Sequence, residues 1–263
     1  MNHEKILKSS PGLFGKISIC ETLDPAIRLM KINDEIEGQV FLEKDGNPGA
    51  ITASRYLYAF IIPAWLNADK HGLVLGLGAG AGVTMLLALF PKLLLTVIEI
   101  DPQIIVFARR YFPLISFYEN QGRLRIIQSD ADTYLNYCQD QFAFTLLDLF
   151  SGDESNHHNL PLMNKVLKIT PYFMANIITS KTMQPSISPF LNLENTSQLM
   201  WLRAYPAMAA EKINWIMTNI NEISPEILDY RLFADLESVE NIMTANSYFR
   251  YILSQVDAAC FYR

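Results

Sequence analysis

Four stretches of the chain carry residue types able to hold a nucleotide. The first is Leu73–Gly82, LVLGLGAGAG, where an apolar run leads into a glycine-rich turn and then an apolar helix. Gly76, Gly78 and Gly80 allow backbone to come close to a ligand, and the helix N-terminus offers unpaired N–H groups to a polar or anionic group. Glu99, in TVIEIDP, stands about twenty residues further on, where a strand-end carboxylate can accept from both hydroxyls of a ribose. Asp130 in RLRIIQSDAD and Asp148 in FAFTLLDLF end a third and a fourth apolar run. Ligands of open parallel sheets sit outside the carboxyl ends of the strands, so Gly76–Gly80, Glu99, Asp130 and Asp148 converge on one crevice. Each acid alone is compatible with a solvated or helix-capping role. Together they point to one ligand.

The identity of that nucleotide is only partly legible. Gly76-Leu77-Gly78-Ala79-Gly80-Ala81 also satisfies the loose dinucleotide fingerprint, which keeps an NAD-dependent oxidoreductase open. Asp130-Ala131 favours an S-adenosyl cofactor, because a carboxylate there can reach an adenine amino group.

These residues need a scaffold of alternating strands and helices. Gly72–Leu75, Leu93–Ile98, Leu124–Gln128, Phe142–Leu147 and Tyr172–Ile178 read as strands. Gly80–Phe90, Pro102–Phe112, Ala131–Cys138 and Asn159–Ile169 read as helices between them, Pro102 suiting a first-turn position. This pattern predicts an α/β fold, a doubly wound and mostly parallel sheet covered on both faces. Before it, Lys16–Glu21, Ala26–Ile32 and Gly38–Leu42 are short β-type runs parted by turn-prone residues. They predict a small N-terminal β-hairpin unit over residues 1–50, preceding a nucleotide-binding domain over 51–263. Thr52–Leu66 has helix-compatible spacing, with Pro63 expected to disturb its last turn. After Thr179 comes a polar, proline-containing loop. Lys212–Ile220 then reads as a strand and Leu236–Val256 as one or two helices.

Composition narrows the function classes. Half of the 263 residues are hydrophobic, 18% are charged and the net charge is −6. With no basic run to displace phosphate counterions, a nucleic-acid partner is not expected. Cys20, Cys138 and Cys260 are too scattered for a zinc site or a disulfide framework, so no metal is expected and a reducing cytoplasm is the default location. No apolar stretch approaches the roughly 20 residues that cross a bilayer, so no membrane partner is expected either. His157 and His158 lie near the inferred crevice, in a polar loop where solvation is their ordinary state. Tyr56, Tyr58 and Phe60 read as core or interface residues. Trp201, Trp215 and Tyr248–Tyr251 read as packing for the C-terminal region, with a homodimer compatible.

GLGAGAG, VIEIDPQIIVFARRYF, RLRIIQSDADTYL and FTLLDLFSG resemble successive motifs of the spermidine synthase-like family, within the class I S-adenosylmethionine-dependent methyltransferase superfamily. The resemblance runs from about residue 15 to residue 180, including GQV around Gln39, and weakens in the C-terminal third. It implies a transferase using S-adenosylmethionine or its decarboxylated form, passing a methyl or aminopropyl group to a small-molecule acceptor such as an amine. The product would be S-adenosylhomocysteine or methylthioadenosine. Carried over by position, Glu99 would bind the ribose, and Asp130 with Ala131 the adenine. Asp148 would take a proton from the attacking amine, since a protonated amine is no nucleophile.

The chain departs from the polyamine-forming pattern at three places. Ala79 stands where the family's glycine loop has Asp, Ser151 where a second acid follows the fourth strand, and Ser54 where a Tyr lines the amine pocket. Asp153 and Glu154 sit close enough to compensate, although a solvated acidic loop is their simpler reading. The acid that many methyltransferases place two residues before the first loop glycine is here Val74. These losses motivate an alternative: a catalytically degenerate nucleoside-binding or interaction protein of the same fold.

Overall fold

The computed structural model describes residues 4–149, 159–180, 200–204 and 212–220. An N-terminal antiparallel sheet runs in chain order through β1 (Lys5–Pro11), β2 (Lys16–Leu23), β3 (Ala26–Ile32), β4 (Glu35–Leu42) and β5 (Pro48–Thr52). Its residues split by strand alternation. Ile17, Ile19, Met30, Ile32 and Val40 enter the main core, while Cys20, Ile27 and Leu29 make a small cluster with Phe41 and Ala53. The β3–β4 turn is set by Asn33, at φ 55°, a left-handed conformation that asparagine tolerates. Its Oδ1 also accepts from the Lys16 N–H at 3.0 Å, tying the turn to β2.

The second sheet holds β6 (His71–Leu75), β7 (Leu94–Glu99), β8 (Leu124–Gln128), β9 (Phe144–Leu147), β10 (Phe173–Ser180), β11 (Met200–Ala204) and β12 (Lys212–Thr218), in the order β11-β12-β10-β9-β6-β7-β8. Strands β6 to β10 are parallel, and β12 runs antiparallel to both β10 and β11. The chain builds outward from β6 on one side through β7 and β8, then returns to its other side with β9 and β10. This reversal between β6 and β9 is where such sheets open a crevice at their carboxyl edge.

The helices are α1 (Ile61–Leu66), α2 (Ala81–Leu89), α3 (Pro102–Tyr111), α4 (Leu114–Asn120), α5 (Ala131–Tyr137) and α6 (Asn159–Ile169). The sheet parts two apolar layers. Val74, Leu95, Val97, Phe144 and Leu146 face residues of α1, α2, α3, α4 and the N-terminal sheet. Leu73, Leu75, Ile98, Leu147 and Phe173 face α5 and α6. Burial on both faces explains why these strands read as continuous apolar runs. The fold class is as expected, with five strands in the N-terminal unit.

Three local expectations need correction. β1 and β5 went unread because short edge strands carry little apolar signal; in β5, Pro48 takes the first-residue position, where its missing N–H is tolerated. Thr52–Leu66 is not one helix: β5 runs through Thr52, a 3-10 turn covers Arg55–Phe60, and α1 starts at Ile61. Pro63 thereby falls in the first turn of α1, where its missing N–H had no intrahelical partner, rather than in the last. Helix α4, only seven residues long, was also missed. The expected helices in Leu236–Val256, the cluster at Tyr248–Tyr251, and Ser151, Asp153, Glu154, His157 and His158 lie outside the described residues. Among the described residues, no helix is long and apolar enough to cross a membrane.

Gly72 in β6 lies against the fully buried ring of Phe144, and a Cβ there would stand 2.3 Å from Phe144 Cζ. Gly72→Ala is therefore expected to overpack the sheet and lower unfolding free energy by about 1–3 kcal/mol. Urea denaturation should show this as a lower midpoint at unchanged slope.

Candidate functional site

The glycine loop leaves β6 in a path that needs glycine at three points: Gly76, Gly78 and Gly80 have φ of +97°, +51° and +72°. Close approach reinforces the requirement. A Cβ on Gly76 would lie 2.3 Å from the Asp148 carbonyl oxygen, and one on Gly78 would lie 2.4 Å from the Glu37 carbonyl oxygen. The loop is thus pressed between the end of β9 and strand β4. Backbone bonds extend the ladder past the strands: Gly76 N–H donates to Ile98 O at 2.9 Å, Asp148 N–H to Leu75 O at 2.9 Å, and Ser129 N–H to Glu99 O at 3.0 Å. The ends of β9, β6, β7 and β8 are therefore locked side by side.

Glu99 is 6% exposed and fully engaged with backbone. Its Oε2 accepts from Leu77 N–H at 3.0 Å and its Oε1 from Asp101 N–H at 2.8 Å. Burial pushes its carboxyl above the usual range, and the two donors pull it back. One carboxylate thus fixes both the glycine loop and the entry to α3. Each oxygen keeps further acceptor capacity, which is what ribose hydroxyls require. Asp101, 1% exposed, caps α3 through Gln103 N–H at 2.8 Å and also accepts from Leu13 N–H at 2.6 Å, anchoring the β1–β2 hairpin.

Asp130 is exposed at the next strand end and caps α5, its Oδ1 accepting from Thr133 N–H at 2.8 Å. Ala131 is buried in the first turn of that helix. Asp148 lies across the loop from Glu99. Its Oδ2 accepts from the Tyr56 hydroxyl at 3.0 Å and its Oδ1 from Asn176 Nδ2 at 2.9 Å. Burial raises the Asp148 carboxyl, against the lowering effect of Asn176 and then of Tyr56. The Tyr56 phenol stays well above its ordinary value through burial, then the charges of Asp148 and Glu37. Neither Glu99, Asp130 nor Asp148 enters an ion pair among the described residues. No group of His, Cys, Asp or Glu among them is placed to hold a metal ion.

Tyr56 and Asn176 were missed by sequence reasoning. Tyr56, taken for a core or interface residue, brings a hydroxyl to Asp148 from 92 positions away. Ser54 is buried in the approach to the 3-10 turn, where its N–H donates to Thr52 Oγ1 at 3.0 Å. Asn176 does carry a signal, as a lone amide in the apolar strand FMANII. Ala79 is 1% exposed, and a Cβ on Gly38 would lie 2.7 Å from its own. Strand β4 closes over this position, leaving no room for an acidic side chain. Val74 lies in the apolar core.

Residues 62–172, spanning β6 to β9 and every strand-end acid above, match the spermine/spermidine synthase domain. The match covers less than half of the chain and marks this stretch as similar to spermidine synthases. The polyamine aminopropyltransferase of Vibrio vulnificus (strain CMCP6) is 30% identical over 89 residues, a stretch covering 33% of this chain and 28% of that protein. In fold, the chain is similar to a probable spermidine synthase from Corynebacterium glutamicum ATCC 13032, with TM-score 0.66, 14% identity, and 95% and 94% of the two chains covered. A spermidine synthase in complex with the transition state analogue AdoDATO gives TM-score 0.55 at 14% identity, covering 95% of this chain and 88% of that one. Human methyltransferase-like protein 13 in complex with SAH gives TM-score 0.52 at 17% identity, covering 72% and 91%.

At this site, Glu99→Gln keeps the side-chain shape but turns one backbone acceptor into a donor. Leaving Leu77 or Asp101 N–H without its partner should cost about 1–3 kcal/mol. A lower urea midpoint than wild type, with the α/β circular dichroism retained, is the expected result.

Proposed function

We propose that the chain is a transferase that uses an S-adenosyl nucleotide, either S-adenosylmethionine or its decarboxylated form, to alkylate a small acceptor. A protonatable amine is the acceptor that best matches the site. The observation that carries this reading is Asp148: a carboxylate held by two side-chain donors at the switch point, against the glycine loop, beside the end of β6. In this reading Glu99 holds the ribose, Asp130 with Ala131 the adenine edge, and Gly76, Gly78 and Gly80 the backbone path beside the nucleotide. The acceptor chemistry supports that fit. Glu99 and Asp130 have oxygen lone pairs beyond those their N–H donors use, and both ribose and adenine present donors.

The nucleotide supplies a carbon made electrophilic by a sulfonium. The acceptor nitrogen must arrive with its lone pair free, and this is the task of Asp148. The Asp148 carboxylate takes a proton from the protonated amine. The freed nitrogen then bonds to that carbon as the carbon–sulfur bond breaks, its electrons staying on sulfur, and the product is a protonated secondary amine. Tyr56 and Asn176 hold the receiving oxygens still. The tight fit of β4 over Ala79 favours a second reading, in which the chain binds a nucleoside without turnover because one carboxylate of an amine pocket has been closed out.

Calorimetry with methylthioadenosine, S-adenosylmethionine and S-adenosylhomocysteine tests both readings. At least one should bind, and absence of binding to all three at millimolar concentration would refute both. The transferase reading further expects product from decarboxylated S-adenosylmethionine with a diamine, or from S-adenosylmethionine with an amine. Asp148→Asn should lower kcat by about 10²–10⁴-fold with nucleotide affinity kept. Binding without product in either assay would leave the second reading standing alone.

A further inference from the structure

Strand β10 reads FMANIITS, and Asn176 is the one amide in its apolar stretch. Asparagine is disfavoured in strands, and burying its amide is unfavourable unless both ends are satisfied. It is nevertheless 4% exposed, between β9 and β12. The parallel register pairs Leu147 with Ala175, so the next residues along each strand, Asp148 and Asn176, are neighbours. The Asn176 Nδ2 donates to Asp148 Oδ1 at 2.9 Å, while the Tyr56 hydroxyl takes Oδ2 at 3.0 Å.

We infer that Asn176 is a positioning residue, which fixes the rotation of the Asp148 carboxylate at the crevice. The inference rests on the reading of Asp148 as proton acceptor. Two donors on the two oxygens leave one orientation for the carboxylate plane, with the remaining lone pairs directed away from Tyr56 and Asn176. They also counter burial, which favours the neutral acid, and Asn176 is the larger of the two opposing influences. The groups acting on this cluster come from three elements: Tyr56 from the 3-10 turn, Asn176 from β10, and Glu37 of β4, which acts on Tyr56. Among the described residues, those influences include no Lys, Arg or His.

The test is the pH titration of the Asp148 13Cγ resonance in the ligand-free protein, a readout independent of turnover. Asn176→Val removes the amide at similar shape and should raise the Asp148 midpoint by about one pH unit, a tenfold gain in proton affinity. Asn176→Thr, which restores a hydroxyl donor, should bring part of that shift back, and Tyr56→Phe should move the midpoint in the same direction as Asn176→Val. Asn176→Asp places a second carboxyl beside the first, so the pair should titrate in two separated steps. Where transfer is measurable, Asn176→Val should lower kcat with the nucleotide KM unchanged and move the acidic limb of the rate profile upward.

A folded Asn176→Val protein whose Asp148 titrates as in wild type overturns the inference. So does an Asn176→Asp protein with two independent, unshifted carboxyls, should the Val variant not fold. Full turnover by Asp148→Asn would instead overturn the proton-acceptor reading, leaving the titration result intact.

Discussion

Everything at the carboxyl edge of the sheet depends on Glu99 accepting two backbone hydrogen bonds. Leu77 N–H belongs to the glycine loop and Asp101 N–H to the mouth of α3, so one buried carboxylate sets the distance between them. Such a bond to a charged acceptor is stronger than a neutral one, and its loss leaves a buried donor unsatisfied. The anchoring continues outward. Asp101 takes the Leu13 N–H and so holds the β1–β2 hairpin to the same point. Loop, helix and N-terminal hairpin are parts of one hydrogen-bonded chain that begins at Glu99.

Opposite this anchor, Asp148 is built differently. Glu99 is met by backbone donors, whereas Asp148 is met by two side chains, Tyr56 and Asn176. Backbone donors suit a residue whose main task is to hold shape. Side-chain donors leave the carboxylate adjustable by substitution, and they come from the 3-10 turn and from β10. In the proposed reaction, this lets the proton affinity of Asp148 be tuned without disturbing the loop.

The strand-end acids were legible in the sequence because parallel strands deliver their C-terminal residues to one edge, whatever the intervening helices do. Asp130 at the start of α5 and Pro102 at the start of α3 also follow from local rules, as side-chain cap and first-turn proline. What lay hidden was every contact that crosses between elements without a local signature. Tyr56 sits among Tyr58 and Phe60, and nothing in RYLYAF separates the one that reaches Asp148 from those that fill the core. Strands β1 and β5 were unread because an edge strand can be short and mixed in polarity. The helix expected over Thr52–Leu66 failed where Pro63 shifted its start, a boundary that apolar spacing cannot locate.

The contact of Gly38 with Ala79 has a wider consequence. One residue belongs to the N-terminal sheet and the other to the glycine loop, and a side chain at position 38 would collide with Ala79. The two sheets are therefore not interchangeable modules. Grafting the loop of a relative with a bulkier residue at this point would force β4 away, and importing a strand with any side chain at position 38 would push back on the loop. A larger group on the loop at this point therefore has to be matched by a change in the hairpin sheet.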